Sequence, residues 1–367
     1  MSAHPTAPTL TDAPVNGASV TIRGHLPRDA QGSFEQCQDP ASQAWTTVPI
    51  PYSMDDARAF VGEIMPQGWA FDTEWGFAVE YDGRYAGTVS LRNEGQGRAE
   101  IAYGSHPWAR GTGVMERALR LLLDWGFAER DLRTVIWWAH KGNWASRRLA
   151  WRLGFTVEGT VRRWQPQRGD LIDSWVGSLL RGDPREPSST WLDCPVLVGD
   201  GLRLRPMVDT DAPRIAEAGS DPHTQEWLAP LFPLPYDEET ARRRVIEAAR
   251  ERLATAHGVA WAVTDGDDRM SAWVALFDIS PGRAAELGYW AHPDARGRGL
   301  VTRSVPLVAR HAKDVLGLER LRAMISPGND PSARVVLATG FEHTGTLRGA
   351  TTMRGESADL EIYDKVL

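Results

Sequence analysis

The sequence predicts an α/β fold, an α+β mixed sheet built twice in tandem, and three observations carry that expectation. The first is a repeat. Ala99-Glu100-Ile101-Ala102-Tyr103-Gly104-Ser105-His106-Pro107-Trp108-Ala109-Arg110-Gly111-Thr112-Gly113 returns as Ala285-Glu286-Leu287-Gly288-Tyr289-Trp290-Ala291-His292-Pro293-Asp294-Ala295-Arg296-Gly297-Arg298-Gly299. Asn143-Trp144-Ala145-Ser146 ahead of Gly154-Phe155 returns as Asn329-Asp330-Pro331-Ser332 ahead of Gly340-Phe341. Glu100 to Glu286, Arg110 to Arg296, Asn143 to Asn329 and Gly154 to Gly340 share one offset of 186 residues. Solenoid repeats run at about 20–50 residues, so a whole domain is duplicated. The second is element order: alternating strands, then a strand–glycine turn–helix–strand crossover, which describes a mixed sheet rather than a doubly wound one. The third is length, since 367 residues allow two units that each bury a full core.

In the first copy, residues 20–23 alternate as an opening strand, matched by 202–206 in the second. Asp39-Pro40, Trp45 and Pro49-Ile50-Pro51-Tyr52 echo Asp221-Pro222, Trp227 and Pro233-Leu234-Pro235-Tyr236 at offsets of 182 to 184. A helix is expected over 55–64, and over 237–255 in the second copy, with acidic residues first and arginines after, as the helix dipole favours. Strands follow at 76–81 and 86–91, matched by 259–265 and 270–277. Beyond the glycine turn come helices over 115–127 and 301–315, then strands over 134–139 and 320–325. A helix from each Asn-x-x-Ser segment and closing strands complete the unit. Residues 181–190 are rich in Pro, Gly and Ser and read as a linker, giving domains at 17–183 and 196–367.

Composition narrows the function classes. Charged residues make up 24% and hydrophobic ones 42%, an ordinary globular balance. The net charge of −7 gives no reason to expect a nucleic-acid partner. No apolar run approaches the ~18 residues of a membrane helix, and the N-terminus lacks a basic-then-apolar signal pattern, so no membrane partner is expected. Cys37 and Cys194 are the only cysteines. They make neither a disulfide framework nor a metal site, so no metal and a cytoplasmic location are expected.

Arg110-Gly111-Thr112-Gly113 and Arg296-Gly297-Arg298-Gly299 each lie between a strand and a helix. Glycines allow close backbone approach and positive φ, and the following helix offers unpaired N–H groups to an anion such as a pyrophosphate. The plain alternative is a tight turn with a surface arginine, which a second copy at fixed spacing weakens. On these residues the chain resembles the GNAT superfamily of acyl-CoA-dependent N-acyltransferases, whose pyrophosphate loop reads (Arg/Gln)-x-x-Gly-x-(Gly/Ala). Arg110-Gly111-Thr112-Gly113-Val114-Met115 and Arg296-Gly297-Arg298-Gly299-Leu300-Val301 match it, except that Met115 and Val301 replace the last Gly or Ala. The Asn-x-x-Ser segments and the Pro-x-Pro-Tyr entry look like the branch of ribosomal-protein alanine N-acetyltransferases.

The resemblance implies acetyl-CoA, or another acyl-CoA, as co-substrate, held in a V between two splayed parallel strands and attacked directly by an amine. It implies Glu100 and Glu286 as general bases. Burial raises such a carboxylate toward neutrality, and the plain alternative is pairing with a neighbouring arginine. Many members use a tyrosine three residues before Gly-Phe, where this chain has Trp151 and Leu337. Ser146 and Ser332 match the branch in which a serine hydroxyl approaches the sulfur instead, and Asn143 and Asn329 match the residue that holds the pantetheine amide. Helix N-capping is the alternative for each.

Glu116 against Thr302, and Thr112 against Arg298, favour the C-terminal copy for the CoA site, each charge difference being worth on the order of 1 kcal/mol. The sixteen tryptophans are read mainly as core, with those near Asn143 as candidates for a wide pocket. His106 and His292 read as turn residues. The leading function is acetyl transfer to a primary amine on a small molecule or peptide N-terminus. The alternatives are transfer of a longer acyl chain from CoA or a carrier protein, and a non-catalytic acyl-CoA sensor. The short linker predicts a monomer whose halves pack as a pseudo-dimer, with a further homodimer open.

Overall fold

A computed structural model describes residues 6–228, 231–353 and 356–367. The chain divides into two compact units, Met1–Ser188 and Ser189–Leu367. In the first, strands β1 (Leu10–Thr11), β2 (Val20–Arg23), β3 (Glu74–Tyr81), β4 (Arg84–Gly95), β5 (Arg98–Ser105), β6 (Thr134–His140), β7 (Thr156–Gln167) and β8 (Asp170–Leu180) form one sheet ordered β1-β2-β3-β4-β5-β6-β8-β7. Helices α1 (Ala30–Gln38), α2 (Pro40–Trp45), α3 (Met54–Ala59) and α4 (Met65–Ala70) lie between β2 and β3; α5 (Val114–Glu129) and α6 (Trp144–Arg152) flank β6.

The second unit repeats the plan. Its strands are β9 (Leu197–Gly199), β10 (Leu202–Pro206), β11 (Gly258–Thr264), β12 (Ala272–Ser280), β13 (Ala284–Ala291), β14 (Arg320–Ile325), β15 (Glu342–Met353) and β16 (Glu356–Val366). Their order is β15-β16-β14-β13-β12-β11-β10-β9. Its helices are α7 (Ala212–Ser220), α8 (Pro222–Leu228), α9 (Glu238–Ala241), α10 (Ala248–Ala254), α11 (Leu300–Asp314) and α12 (Asp330–Ala338).

The expected crossover is present in both units: β5 pairs parallel with β6, and β13 with β14, while the other ladders are antiparallel. The expected single helices over 55–64 and 237–255 are each broken by one wider turn, at Phe60–Ile64 and Arg242–Glu247, and the first runs on to Ala70. Helices α1, α2, α7 and α8 have no counterpart in the sequence pattern, being short and mixed in polarity. The segment read as a linker is not free chain. Pro184 and Glu186 backbone atoms crowd Gly154, and Arg185 lies 4.2 Å over the Phe127 ring.

Each sheet is covered on both faces. Alternation sends Ala99, Ile101 and Tyr103 of β5 toward α5, with Leu119, Leu122 and Leu123 in one core. Ala285, Leu287 and Tyr289 of β13 do the same toward Val305 and Val308 of α11. Glu100 and Glu286 therefore point to the other face. In the second unit that face has its own core, joining Trp290, Ala260 and Ala262 to Ile215 and Phe232.

Candidate active site

The parallel ladders stop early, and that opens the site. β5 and β6 are paired only from Arg98↔Thr134 to Ile101↔Trp137, although both strands continue. β13 and β14 are paired only from Ala284↔Arg320 to Glu286↔Arg322. Beyond those points the strands splay, leaving backbone groups of residues 102–105 and 287–291 facing a gap toward β6 and β14.

At the end of β5 and β13 lie the glycine loops. Gly111 (φ +75°) and Gly113 (φ +81°) match Gly297 (φ +74°) and Gly299 (φ +68°). A Cβ on any of the four meets no atom within 4 Å, so what demands glycine is the backbone conformation and open space for something to approach. Gly113 and Gly299 are the N-caps of α5 and α11, whose first amides have no helical partners. Such an end attracts an anion. Val114, Met115, Leu300 and Val301 open those helices and are buried, with the Met115 Cε atom beside Gly87 of β4. The bulky side chains at the last loop position thus fill core space beneath the loop.

The loop arginines are engaged within the protein. Arg110 donates to Asp39 and, at 2.9 Å, to Ser42 Oγ. Arg296 donates to Asp221 and, at 2.8 Å, to Thr224 Oγ1. The hydrogen bond from Arg110 holds the Asp39 carboxyl below its ordinary range. The repeated Asp-Pro pairs are thus helix caps that clamp the loop. Arg298 is paired with Asp265, and Glu116 is paired with Arg120 at 2.9 Å and Arg152 at 3.6 Å. The charge difference expected to favour the C-terminal loop is therefore largely neutralised on both sides, and the two loops are alike. Thr112 Oγ1 donates to the Ala109 carbonyl and stiffens the first of them.

Asn143 and Asn329 are helix N-caps: each side chain accepts from the backbone N–H of Ser146 or Ser332, at 3.1 and 3.3 Å. The capping alternative holds for the asparagines, and it leaves their amide NH₂ groups for other partners. The serines lie a turn further on, and their hydroxyls meet a residue that motif reading passed over. Ser146 Oγ lies 2.7 Å from Tyr103 Oη and accepts from Trp137 Nε1 at 3.0 Å; Ser332 Oγ lies 2.9 Å from Tyr289 Oη. Burial pushes both tyrosines up to about 12, so they stay protonated and able to donate. Each hydroxyl pair joins the splayed strand to the helix after its neighbour, beside the gap.

The two glutamates differ. Opposite Glu100 across the β4–β5 ladder is Arg92, which donates to Glu100 Oε1 at 3.0 Å and lies 3.5 Å from Glu74. Burial leaves the Glu100 carboxyl above its ordinary value, against the downward pull of Arg92. The arginine-pairing alternative describes Glu100. Opposite Glu286 is Phe277, whose ring reaches over Gly288: a Cβ there would fall 2.4 Å from Phe277 Cζ. Arg322, the parallel neighbour of Glu286, is instead held by Asp364 at 3.0 Å. Burial, reinforced by the Asp278 charge against a weaker pull from Arg322, pushes Glu286 up to about 7. Among the described residues no group of His, Cys, Asp and Glu is placed to hold a metal.

A glycine loop at a helix N-terminus, a sheet that splits beside it and a glutamate on the split strand occur twice, at corresponding positions. The family model for the acetyltransferase (GNAT) domain matches residues 19–156 and again 201–342. The chain belongs to the GNAT family. It is a tandem GNAT N-acyltransferase, and an acyl-CoA co-substrate is general to that family. Among curated relatives, a Bacillus subtilis (strain 168) protein named "Probable N-acetyltransferase YjcK" is 29% identical over 46% of this chain and 94% of its own length. A Bacillus licheniformis protein named "Uncharacterized N-acetyltransferase p20" is 34% identical over 44% of this chain and 93% of its own length. Among solved structures, the ribosomal-protein-S5-alanine acetyltransferase of Vibrio fischeri is 21% identical, covering 47% of this chain and 96% of its own, with a TM-score of 0.41. No helix among the described residues is long and apolar enough to cross a membrane.

Proposed function

We propose that this chain transfers an acetyl group from acetyl-CoA to a primary amine, that both GNAT units hold acyl-CoA, and that the C-terminal unit performs the transfer. The observation that carries the ranking is the carboxyl of Glu286, set against Phe277 and pushed up to about 7. A base with that affinity is ionised often enough at neutral pH to take a proton and basic enough to hold it. Glu100, tied to Arg92, is the weaker base.

Arg296, Gly297, Arg298, Gly299, Leu300 and Val301 form the candidate pyrophosphate cradle, and Asn329 keeps an amide donor for pantetheine. Open space at the glycines and bare helix-end amides fit a diphosphate there. Arg110, Gly111, Thr112, Gly113, Val114, Met115 and Asn143 form the matching cradle of the first unit. Bound acyl-CoA supplies a thioester carbonyl for direct attack. Glu286 takes the proton of the attacking amine from the sheet face that carries Phe277. Ser332 and Tyr289, on the other side of the split, donate a hydrogen bond to the departing sulfur, and Ser146 with Tyr103 occupy the equivalent place in the first unit. Base and donor thus reach one opening from opposite faces.

The test is mass spectrometry of the purified chain for co-purified acyl-CoA, followed by thiol release on a panel of amines. Bound acetyl-CoA with amine-dependent thiol release is expected. Bound CoA without release on any amine makes the chain a sensor, and a longer bound acyl group moves the assignment to that chain length.

A further inference from the structure

The face that carries Glu286 differs pair by pair from the face that carries Glu100. Where the first unit sets Thr88 opposite Gly104, Ser90 opposite Ala102 and Arg92 opposite Glu100, the second sets Trp273 opposite Trp290, Ala275 opposite Gly288 and Phe277 opposite Glu286. The polar face is hydrogen-bonded to itself: Ser90 Oγ donates to Glu74 at 2.6 Å, and Thr88 Oγ1 lies 2.8 Å from Tyr85 Oη. The aromatic face is a continuous strip. Trp273 is stacked with Phe277 (centroids 6.2 Å apart, 24°) and with Trp290 (6.3 Å, 13°), and Trp290 meets Phe232 edge-on at 6.1 Å. Beneath the rings Ala260, Ala262, Ala275 and Gly288 keep the floor flat. Trp290 and Phe232 are buried, whereas Trp273 and Phe277, toward Glu286, are only half-buried.

Trp273 Nε1 is buried and has no hydrogen-bond partner, and neither has the Tyr236 hydroxyl on the same face. Buried donors are nearly always satisfied, and packing alone selects phenylalanine over an indole with an orphan N–H. An indole stacked on a half-buried ring, which is itself the cross-strand neighbour of Glu286, is arranged to meet an incoming acceptor atom.

Resting on the reading of Glu286 as the base, we propose that the acceptor of the C-terminal unit is a primary amine carried on an aromatic group that also bears a hydrogen-bond-accepting oxygen. The ring stacks on Trp273 and Phe277, the oxygen accepts from Trp273 Nε1, and the amine meets Glu286. Asp278 and Glu286 on this face are offset by Arg252, 5.9 Å over the Phe277 ring, and by Arg322 beside Glu286, so the local charge does not select the charge of that oxygen.

Four amines separate the two requirements: phenylalanine amide (ring and carbonyl), 2-phenylethylamine (ring alone), alanine amide (carbonyl alone) and spermidine (neither). With the full-length chain and acetyl-CoA, kcat/KM is expected to be highest for phenylalanine amide. Trp273→Phe keeps a ring and removes the N–H, and should cut the preference for phenylalanine amide over 2-phenylethylamine about tenfold. Trp273→Ala should lower both ring-bearing amines by ~10-fold or more. Equal use of alanine amide or spermidine, or a preference ratio unmoved in Trp273→Phe, overturns the acceptor assignment and leaves the acetyltransferase reading intact. Transfer to none of the four also overturns it, and acetyl-CoA carried through purification then decides whether the cofactor reading stands.

Discussion

Across the ladder from Glu100 stands Arg92; across the ladder from Glu286 stands Phe277. The strand, the register position, the half-burial and the loop that follows are the same in both units, and burial raises both carboxyls, yet one is paired with a guanidinium and the other faces a ring. The difference shows that a base on a sheet is made by its cross-strand partner as much as by its own burial. The throat of the split has diverged differently. Trp137 faces Gly177 in the first unit and Ala323 faces Tyr363 in the second, so the large residue has changed strands while the pair keeps a similar bulk. A Cβ on Gly177 would lie 2.8 Å from the Thr156 carbonyl oxygen and 3.1 Å from the Trp137 ring, so a larger residue there is crowded while Trp137 is opposite. At this throat the bulk of the pair was conserved, whereas at the two glutamates the charge pairing was not.

The sharpest way to break this comparison is to remove each carboxylate in turn. Glu286→Gln is expected to lower turnover by roughly 10²–10⁴-fold with acyl-CoA affinity retained, the usual scale for a lost general base. Glu100→Gln should change turnover less than threefold, and equal losses would erase the distinction. The glycine loops, by contrast, should respond alike. Gly113→Glu and Gly299→Glu each put a side chain and a charge at a positive-φ position facing open space. Calorimetry on wild type should give two acyl-CoA molecules per chain and one for either variant; a wild-type ratio of one would mean that only one loop is a site. In a Glu286→Gln background, Arg92→Leu should recover turnover about tenfold by freeing Glu100, and no recovery would mean that Glu100 is idle for some other reason.

The smallest expected effect is on stability. The folded chain binds the Glu286 proton more tightly than the unfolded chain does, since its carboxyl is pushed up to about 7. That contribution is complete below the ordinary carboxylate range and is lost as pH rises through about 7. Glu286→Gln, which mimics the protonated form, should therefore raise Tm by ~2–4 °C at pH 8 and leave it nearly unchanged at pH 5. A larger gain at pH 5 would reverse the sign.

Much of this was legible in the sequence, because the repeat marks the positions that both copies kept. The glycine loops, the strand glutamates and the Asn-x-x-Ser helices stand where their spacing puts them. Tyr103 and Tyr289 were visible in the same way, at the shared offset, but their role needs Ser146 and Ser332 to arrive from 43 residues away. Arg92 was not legible as the partner of Glu100. Cross-strand register depends on the turn between the strands, and that hairpin carries an irregularity between Asn93 and Gly95. The charges on Arg298 and Glu116 were counted correctly but as free charges, and only the fold shows Asp265 and Arg120 beside them. Helices α1 and α2 were missed because short helices of mixed polarity owe their form to tertiary packing.

The central claim is that a near-neutral Glu286, and not Glu100, is the working base. The pH dependence of kcat/KM, measured by thiol release on the full-length chain, tests it most directly. Activity should rise about tenfold per pH unit below a midpoint near 7 and be level above it, once the amine's own ionisation is divided out. That midpoint should be unchanged in Glu100→Gln and absent in Glu286→Gln. A midpoint that survives Glu286→Gln and disappears in Glu100→Gln would contradict it.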